Sequence, residues 1–407
     1  MTIPSRRPRG PSPSTRRLLI VVTAVFLLAL SMRIPTISLG PLLPAMRTDT
    51  GHGETFLSLL TAIPLALTLL VAPVTPRIAA RVGRSRLLCS ALAGVGVGIV
   101  LRSVPGDVFL LAGTTILGTG IVIGTVLAPA AIAAESRRWR AMLTSVYSTG
   151  LSVGPALALG LTIPMMRVTG FGWRGTLVLW ALVVLAALVA WLVYGGVGAR
   201  SGPAAGPWTP APASTPRWRM VLGDHRVWLL AVYLGLTSLG FYTTSAWLPT
   251  TFVLDGAGAG AAGGAASMVN LVAIPFAMAA PVLMRRGFSP LLAPLGPAIA
   301  VAGLGVLLSA GASAAIVVVL LVGISQGLCL GIAYGQIVQF ATSPEHAGAV
   351  SALTSAVGIA LASLGPFAYG AALEVSGRWR VSVATLGTVL VVHVLVGLGT
   401  GRIVRGR

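Results

Sequence analysis

Apolar residues in this chain run in long blocks instead of alternating or marking one face of a surface helix. Twelve predominantly apolar stretches cover 18–46, 54–76, 86–104, 107–134, 141–168, 174–198, 226–252, 260–284, 290–311, 314–341, 347–374 and 380–402. A helix needs about 20 residues to cross the hydrocarbon core of a bilayer. In lipid the backbone must satisfy its own polar groups, so stretches of this length become helices. The pattern predicts an all-α membrane protein with twelve transmembrane helices, short loops and no sizeable soluble domain. Stretches eight to ten are rich in glycine and alanine and carry the faintest signal. The first run continues well past signal-peptide length without a small-residue cleavage site, so it reads as a span.

The blocks also repeat. Ala62, Ile63 and Pro64, then Ala72 and Pro73, match Ala273, Ile274 and Pro275, then Ala280 and Pro281. Leu43 and Pro44 end span one as Leu248 and Pro249 end span seven. Gly120 and Gly124 in span four match Gly327 and Gly331 in span ten, and every offset lies between 205 and 211. The chain therefore divides into two halves of the same orientation, 18–199 and 225–402, expected to form two pseudo-symmetric six-helix bundles. Between them, 200–224 holds Pro203, Pro207, Pro210, Pro212 and Pro216 and reads as a flexible, partly extended cytoplasmic linker. A disordered basic tail is expected at 1–17 and a short cytoplasmic tail at 403–407. Parallel halves related by an axis along the membrane normal place a solute site between them at the midplane.

Composition agrees, with 56% hydrophobic and 9% charged residues, against about 25% charged in soluble domains. The net charge of +20 invites a nucleic-acid partner, but the positions of the charges exclude one. All 28 basic residues are arginines. Twenty-one lie before span one, after even-numbered spans or in the central segment, and six (47, 102, 167, 174, 378 and 380) lie at the opposite ends. That asymmetry places both termini in the cytoplasm. The exclusive use of arginine points to a GC-rich bacterial genome, hence to the cytoplasmic membrane. Cys89 and Cys329 fall inside spans, so no disulfide framework is implied. There is no nucleotide-binding loop, metal-ligand cluster or paired carboxylate. Neither enzyme activity nor a cofactor or metal is expected; the expected partners are the bilayer and a small solute, and the chain is read as a monomer.

The twenty-eighth arginine is the informative one. Arg33 sits inside span one with no acid in sequence reach until Asp49. A charge at a helix centre costs about 2.5–3.5 kcal/mol on insertion scales and normally faces a cavity. An arginine there suits a small anion, because its planar fork matches carboxylate-like geometry. The structural alternative is snorkelling, or bonds to carbonyls freed where Pro35, Pro41 and Pro44 break the helix. Thr36 shares the Arg33 face, and the repeat places Ser238 opposite Arg33, so only one half carries the charge.

Met32, Arg33, Ile34 and Pro35 with Gly40 to Pro44, then Phe241 and Tyr242 with Ala246 to Pro249, carry a resemblance. Asn270 to Pro275 and Gly172, Trp173 and Arg174 add to it. Across about 18–402 the chain resembles the major facilitator superfamily, and more narrowly its cyanate and nitroimidazole porter branch. Two departures stand out. Span one lacks the branch's usual Asn-Leu-Arg-Pro-like run, and the first cytoplasmic hairpin holds Arg77, Arg81 and Arg84 without the customary preceding Asp. The resemblance implies a transporter fold working by alternating access, with Arg81 and Arg84 at the inner gate. Gly150, Gly154 and Pro155 resemble the span-five motif of superfamily antiporters, and Tyr147 looks like a family position.

Periodicity supplies the remaining candidates. Span seven offers Ser238, Phe241 and Tyr242 in one sector, with Trp247 a turn further on. Span ten offers a stripe of Cys329, Ile332, Gln336 and Gln339. Asn270 in span eight and Thr125 in span four are further polar positions, each open to a helix-gluing role instead. Intramembrane carboxylates are absent from the spans' interiors, so coupling by Glu54 near the outer mouth, by a proton carried with the solute, by anion exchange or by no ion are all left open. The leading reading is a transporter of a small polar, anionic or weakly acidic solute. An exporter of hydrophobic drugs is the alternative, and a solute-binding receptor is a third.

Overall fold

The computed structural model describes residues 13–133, 135, 137–198, 221–340 and 344–405. Most of the expected linker, and residues 1–12 and 406–407 of the expected tails, lie outside them. The first half consists of α1 (Pro13–Ile37), α2 (Leu43–Thr50), α3 (Glu54–Val71), α4 (Thr75–Val82), α5 (Arg84–Arg102), α6 (Asp107–Ala133), α7 (Arg137–Thr169) and α8 (Gly172–Gly198). The second half consists of α9 (His225–Leu254), α10 (Ala259–Leu283), α11 (Ser289–Ala310), α12 (Ala315–Phe340), α13 (Pro344–Ser376) and α14 (Trp379–Arg405).

Eleven segments are long and apolar enough to cross a membrane. One of them, Pro290–Ile337, contains both α11 and α12, joined by the short turn Gly311–Ala314. Counting those two helices separately gives the twelve spans read from the sequence. The ends of α1 and α14 extend beyond the expected boundaries. α1 starts at Pro13, where a first-turn proline loses no helical bond, and α14 runs to Arg405.

Outward faces carry large exposed apolar side chains such as Leu70 (71% exposed), Leu182, Leu291 and Leu395. In lipid this is the favoured surface. Hydroxyls inside the spans are mostly satisfied within their own helix: Thr114, Thr119, Thr243 and Thr251 each donate to the carbonyl four residues back. Glycines set the close seams. Gly118 of α6 meets Pro64 of α3, and Gly323 of α12 meets Val269 and Val272 of α10. These seams join corresponding helix pairs in the two halves.

Span one is not continuous. α1 stops at Ile37, and a short turn at Gly40–Leu42 leads into α2. Pro35 and Pro41 bracket the break. The freed Pro35 carbonyl accepts a bond of 2.9 Å from Arg102 Nη2 at the end of α5. Arg102 is 1% exposed, although the sequence places it among the charges at a span end. A cation at a helix C-terminus complements the helix dipole, which accounts for its position. Its Nε and Nη1 have no partner.

Candidate functional site

Arg33 leaves α1 one turn before the break and reaches the other half. Its Nη1 donates to Tyr242 Oη of α9 at 2.6 Å. Its guanidinium carbon lies 5.8 Å from the Tyr242 ring centroid and 5.9 Å from that of Phe241, within cation–π range. The two rings meet edge to face, 5.1 Å apart. Tyr147 of α7 and Tyr334 of α12 are also within electrostatic reach of the guanidinium. Tyr147 Oη is buried without a partner. Among the described residues no carboxylate pairs with Arg33. The centre is thus one cation in a ring of phenols drawn from both halves, a surrounding that can donate hydrogen bonds to an acceptor-rich ligand.

Gly154 gives Arg33 its place. A Cβ at Gly154 would come 3.1 Å from Arg33 Cβ, and one at Gly150 would come 2.6 Å from Ala29 Cβ. The Gly150, Gly154 and Pro155 motif is therefore the seam between α7 and α1, both in the first half. Thr36 and Ser238 are half-buried.

Other expected site residues are engaged elsewhere. The Trp247 indole is fully buried, donates to Pro366 O at 3.0 Å and stacks on Tyr369 of α13. Asn270 Nδ2 bonds Ala266 O within its own helix. Thr125 is exposed and donates to Ile121 O. Gln336 is fully buried with both amide atoms unpaired, and Gln339 is half-buried towards the end of α12. The α12 polar groups that approach α9 and Arg33 are instead Gln326, whose Nε2 donates to Thr244 Oγ1 at 2.6 Å, and Tyr334.

The two ends of the molecule differ. At the end away from the termini the halves touch closely. A Cβ at Gly40 would come 2.6 Å from the Ser245 carbonyl oxygen. Ser267 Oγ of α10 donates to Ala156 O of α7 at 2.7 Å. Glu374 Oε2 of α13 accepts from the Thr55 backbone N–H at 2.7 Å. That last contact caps α3 from the opposite half, since Gly53 at the cap position has no side chain to do so. Glu54 lies beside it, buried and bonded to Arg47 at 2.7 Å.

Towards the termini the same helices present exposed polar positions, including Thr144, Ser148 and Thr149 of α7 and Ser351 and Ser355 of α13. Tyr334, although near Arg33, is 56% exposed. At this end Arg84 Nη1 donates to Ala130 O at 2.7 Å, tying α5 to the last turns of α6, while Arg81 is exposed.

A multi-pass helical protein whose halves meet over a single half-buried arginine is built as a membrane transporter. The Major Facilitator Superfamily sequence model matches residues 21–366, and the chain belongs to that superfamily. It is 28% identical over 399 residues to the 2-nitroimidazole transporter of Escherichia coli (strain K12), across 96% of this chain and 98% of the relative. It is 27% identical over 364 residues to the cyanate transport protein CynX of the same organism, across 88% and 91%. A bacterial homolog of the human lysosomal transporter Spinster, solved in an inward-facing and unoccupied conformation, superposes with TM-score 0.78. That match has 16% identity over 98% of this chain and 99% of that one, and it is a likeness of fold.

Proposed function

We propose that the chain moves a small anionic or weakly acidic solute, such as cyanate or a nitroimidazole, across the membrane by alternating access, with Arg33 as its anchor. The observation that carries this reading is the Arg33 guanidinium. It lies between the halves, ringed by tyrosines, and no carboxylate among the described residues neutralises it. A half-buried cation without a carboxylate partner gains from a ligand that brings an acceptor pair to its fork. The arginine asymmetry puts the termini in the cytoplasm. In that orientation the exposed Tyr334 and the polar faces of α7 and α13 line an inward opening, and the Glu374 end is the closed outer gate. Purified protein in proteoliposomes should take up labelled cyanate or 2-nitroimidazole and not an organic cation of similar size. Uptake of the cation alone would overturn the proposal.

The outer closure has its own expected outcome. Glu374 places a negative charge on the positive end of α3, where the helix dipole favours it. Glu374→Gln keeps the shape and removes the charge. In a Ser58→Cys background, labelling by a membrane-impermeant thiol reagent should then rise. An unchanged rate would mean the cap does not hold the gate.

A further inference from the structure

The first half carries an open groove on its surface, between the start of α5 and the later turns of α8. Its volume is about 660 Å³, within the roughly 300–1,000 Å³ typical of ligand sites. It runs along α5 from Ser85 to Ala93, about 12 Å at a rise of about 1.5 Å per residue. Ser85, Arg86 and Ser90 make it polar, and the rest of the lining is apolar, from Ala93, Leu188 and Leu192. Three donors meet here without partners. α5 starts after Gly83, so no side chain caps its first N–H groups, and a helix start of that kind favours an anion. Arg86 lies in that first turn, is exposed, and pairs with no carboxylate among the described residues. Trp191 lines the α8 wall and is only 4% exposed, yet its Nε1–H has no partner, whereas a buried indole N–H normally finds an acceptor. More positive charge lies close by. Arg17 and Arg84 both act on Tyr194, whose ring is 5.1 Å from that of Trp191. The acid beside them, Glu135, is already bonded by Tyr194 and paired with Arg17 at 3.8 Å.

We infer that this groove is a binding site for one anionic phospholipid of the leaflet on the side of the termini. Its phosphodiester sits on the first turn of α5 and the Arg86 guanidinium, and one acyl chain lies along the apolar lining. The inference is independent of the role of Arg33. The sequence of polar and apolar lining matches a headgroup followed by a chain; an aqueous phosphate would leave the apolar length uncovered. Phosphate oxygens suit an arginine fork and free helix N–H groups. The Trp191 indole adds a donor for an ester oxygen where headgroup and chains join, the depth that tryptophan favours. Charge then selects the headgroup. The ammonium of phosphatidylethanolamine would face Arg86, with Arg17 and Arg84 nearby and no free carboxylate to receive it. Phosphatidylglycerol carries the same phosphodiester without a cation, and clustered arginines beside a membrane helix attract such lipids.

The test is native mass spectrometry of the full-length purified chain in mild detergent, titrated with dioleoyl phosphatidylglycerol and dioleoyl phosphatidylethanolamine in equal amounts. Wild type should retain the first adduct of phosphatidylglycerol over phosphatidylethanolamine by about fivefold or more. Arg86→Gln should lower that ratio by about fivefold, the share of one arginine at an anionic lipid surface. Trp191→Phe keeps the ring and removes the N–H, so it should weaken both lipids alike by about fivefold, the share of one hydrogen bond; it carries the test if Arg86→Gln does not fold. Arg226→Gln, which removes an exposed arginine at the same end of the second half, should leave the ratio unchanged. Equal retention of the two lipids by wild type would overturn the inference. So would an unaltered ratio in Arg86→Gln, unaltered retention in Trp191→Phe, or a loss in Arg226→Gln as large as that in Arg86→Gln, which would mark a basic surface without a site.

Discussion

Arg33→Ala should abolish solute uptake into proteoliposomes while leaving a folded, monodisperse protein. Each hydrogen bond from a charged donor contributes about 1.5–3 kcal/mol, so losing a two-bond grip lowers affinity by at least a hundredfold. Folding should not suffer in proportion, because removing a charge from the middle of a span relieves about 2.5–3.5 kcal/mol of insertion cost. Arg33→Lys keeps the charge but loses the planar fork, and should fall between wild type and alanine. Tyr242→Phe removes one partner of the guanidinium and leaves its charge and fork in place, so it should lower affinity less than either arginine substitution. Initial uptake rates, normalised to reconstituted protein, should rank wild type, Tyr242→Phe, Arg33→Lys and Arg33→Ala in falling order. Equal activity in Arg33→Ala would return this arginine to a packing role.

Gly154→Leu should be nearly as damaging, for a steric reason. The first carbon of any side chain at 154 already meets Arg33 Cβ at 3.1 Å, tighter than ordinary contact. A leucine would push α1 from α7 or swing Arg33 off the Tyr147 side. Overpacking of this kind costs about 1–3 kcal/mol in stability, and here it also moves the anchor. Turnover should fall by about tenfold or more, the cost of misplacing a site by an ångström being up to about a hundredfold. Gly154→Ala should show a smaller loss of the same sign. A well-expressed Gly154→Leu protein with wild-type turnover would show that the seam does not set the Arg33 position.

Much of this architecture was readable because lipid leaves few alternatives. Each apolar block must be a helix, and the repeat and arginine positions pair the blocks into halves. Arg33 stands out for the same reason, as a charge in an apolar run, and the structure sets it against Tyr242 and Phe241 of α9. Tyr242 and Phe241 followed from sharing a sector of span seven. On α12 the periodicity predicts a stripe of Cys329, Gln336 and Gln339, whereas Gln336 is enclosed and Gln326 and Tyr334 approach α9 and Arg33. The glycines held a usable signal. Gly327 and Gly331 pack on Ala273 and Ala277 of α10 and Gly335 on Met284 just past its end, and residues one position earlier, 326, 330 and 334, lie about 100° around the helix. Trp247 looked like a site aromatic but spends its N–H on Pro366. Arg102 and Glu374 could not be read at all. Their roles depend on a carbonyl and an amide supplied by helices 67 and 319 residues away, and no local pattern encodes such pairings.

The central claim is that Arg33 holds the solute, and equilibrium binding tests it without the complications of gating. Cyanate and 2-nitroimidazole would be titrated by calorimetry into purified wild type and Arg33→Ala, matched for thermal stability and monodispersity. The expected result is saturable binding of both ligands to wild type and no measurable heat of binding in Arg33→Ala. The same dissociation constants in both proteins would contradict the claim.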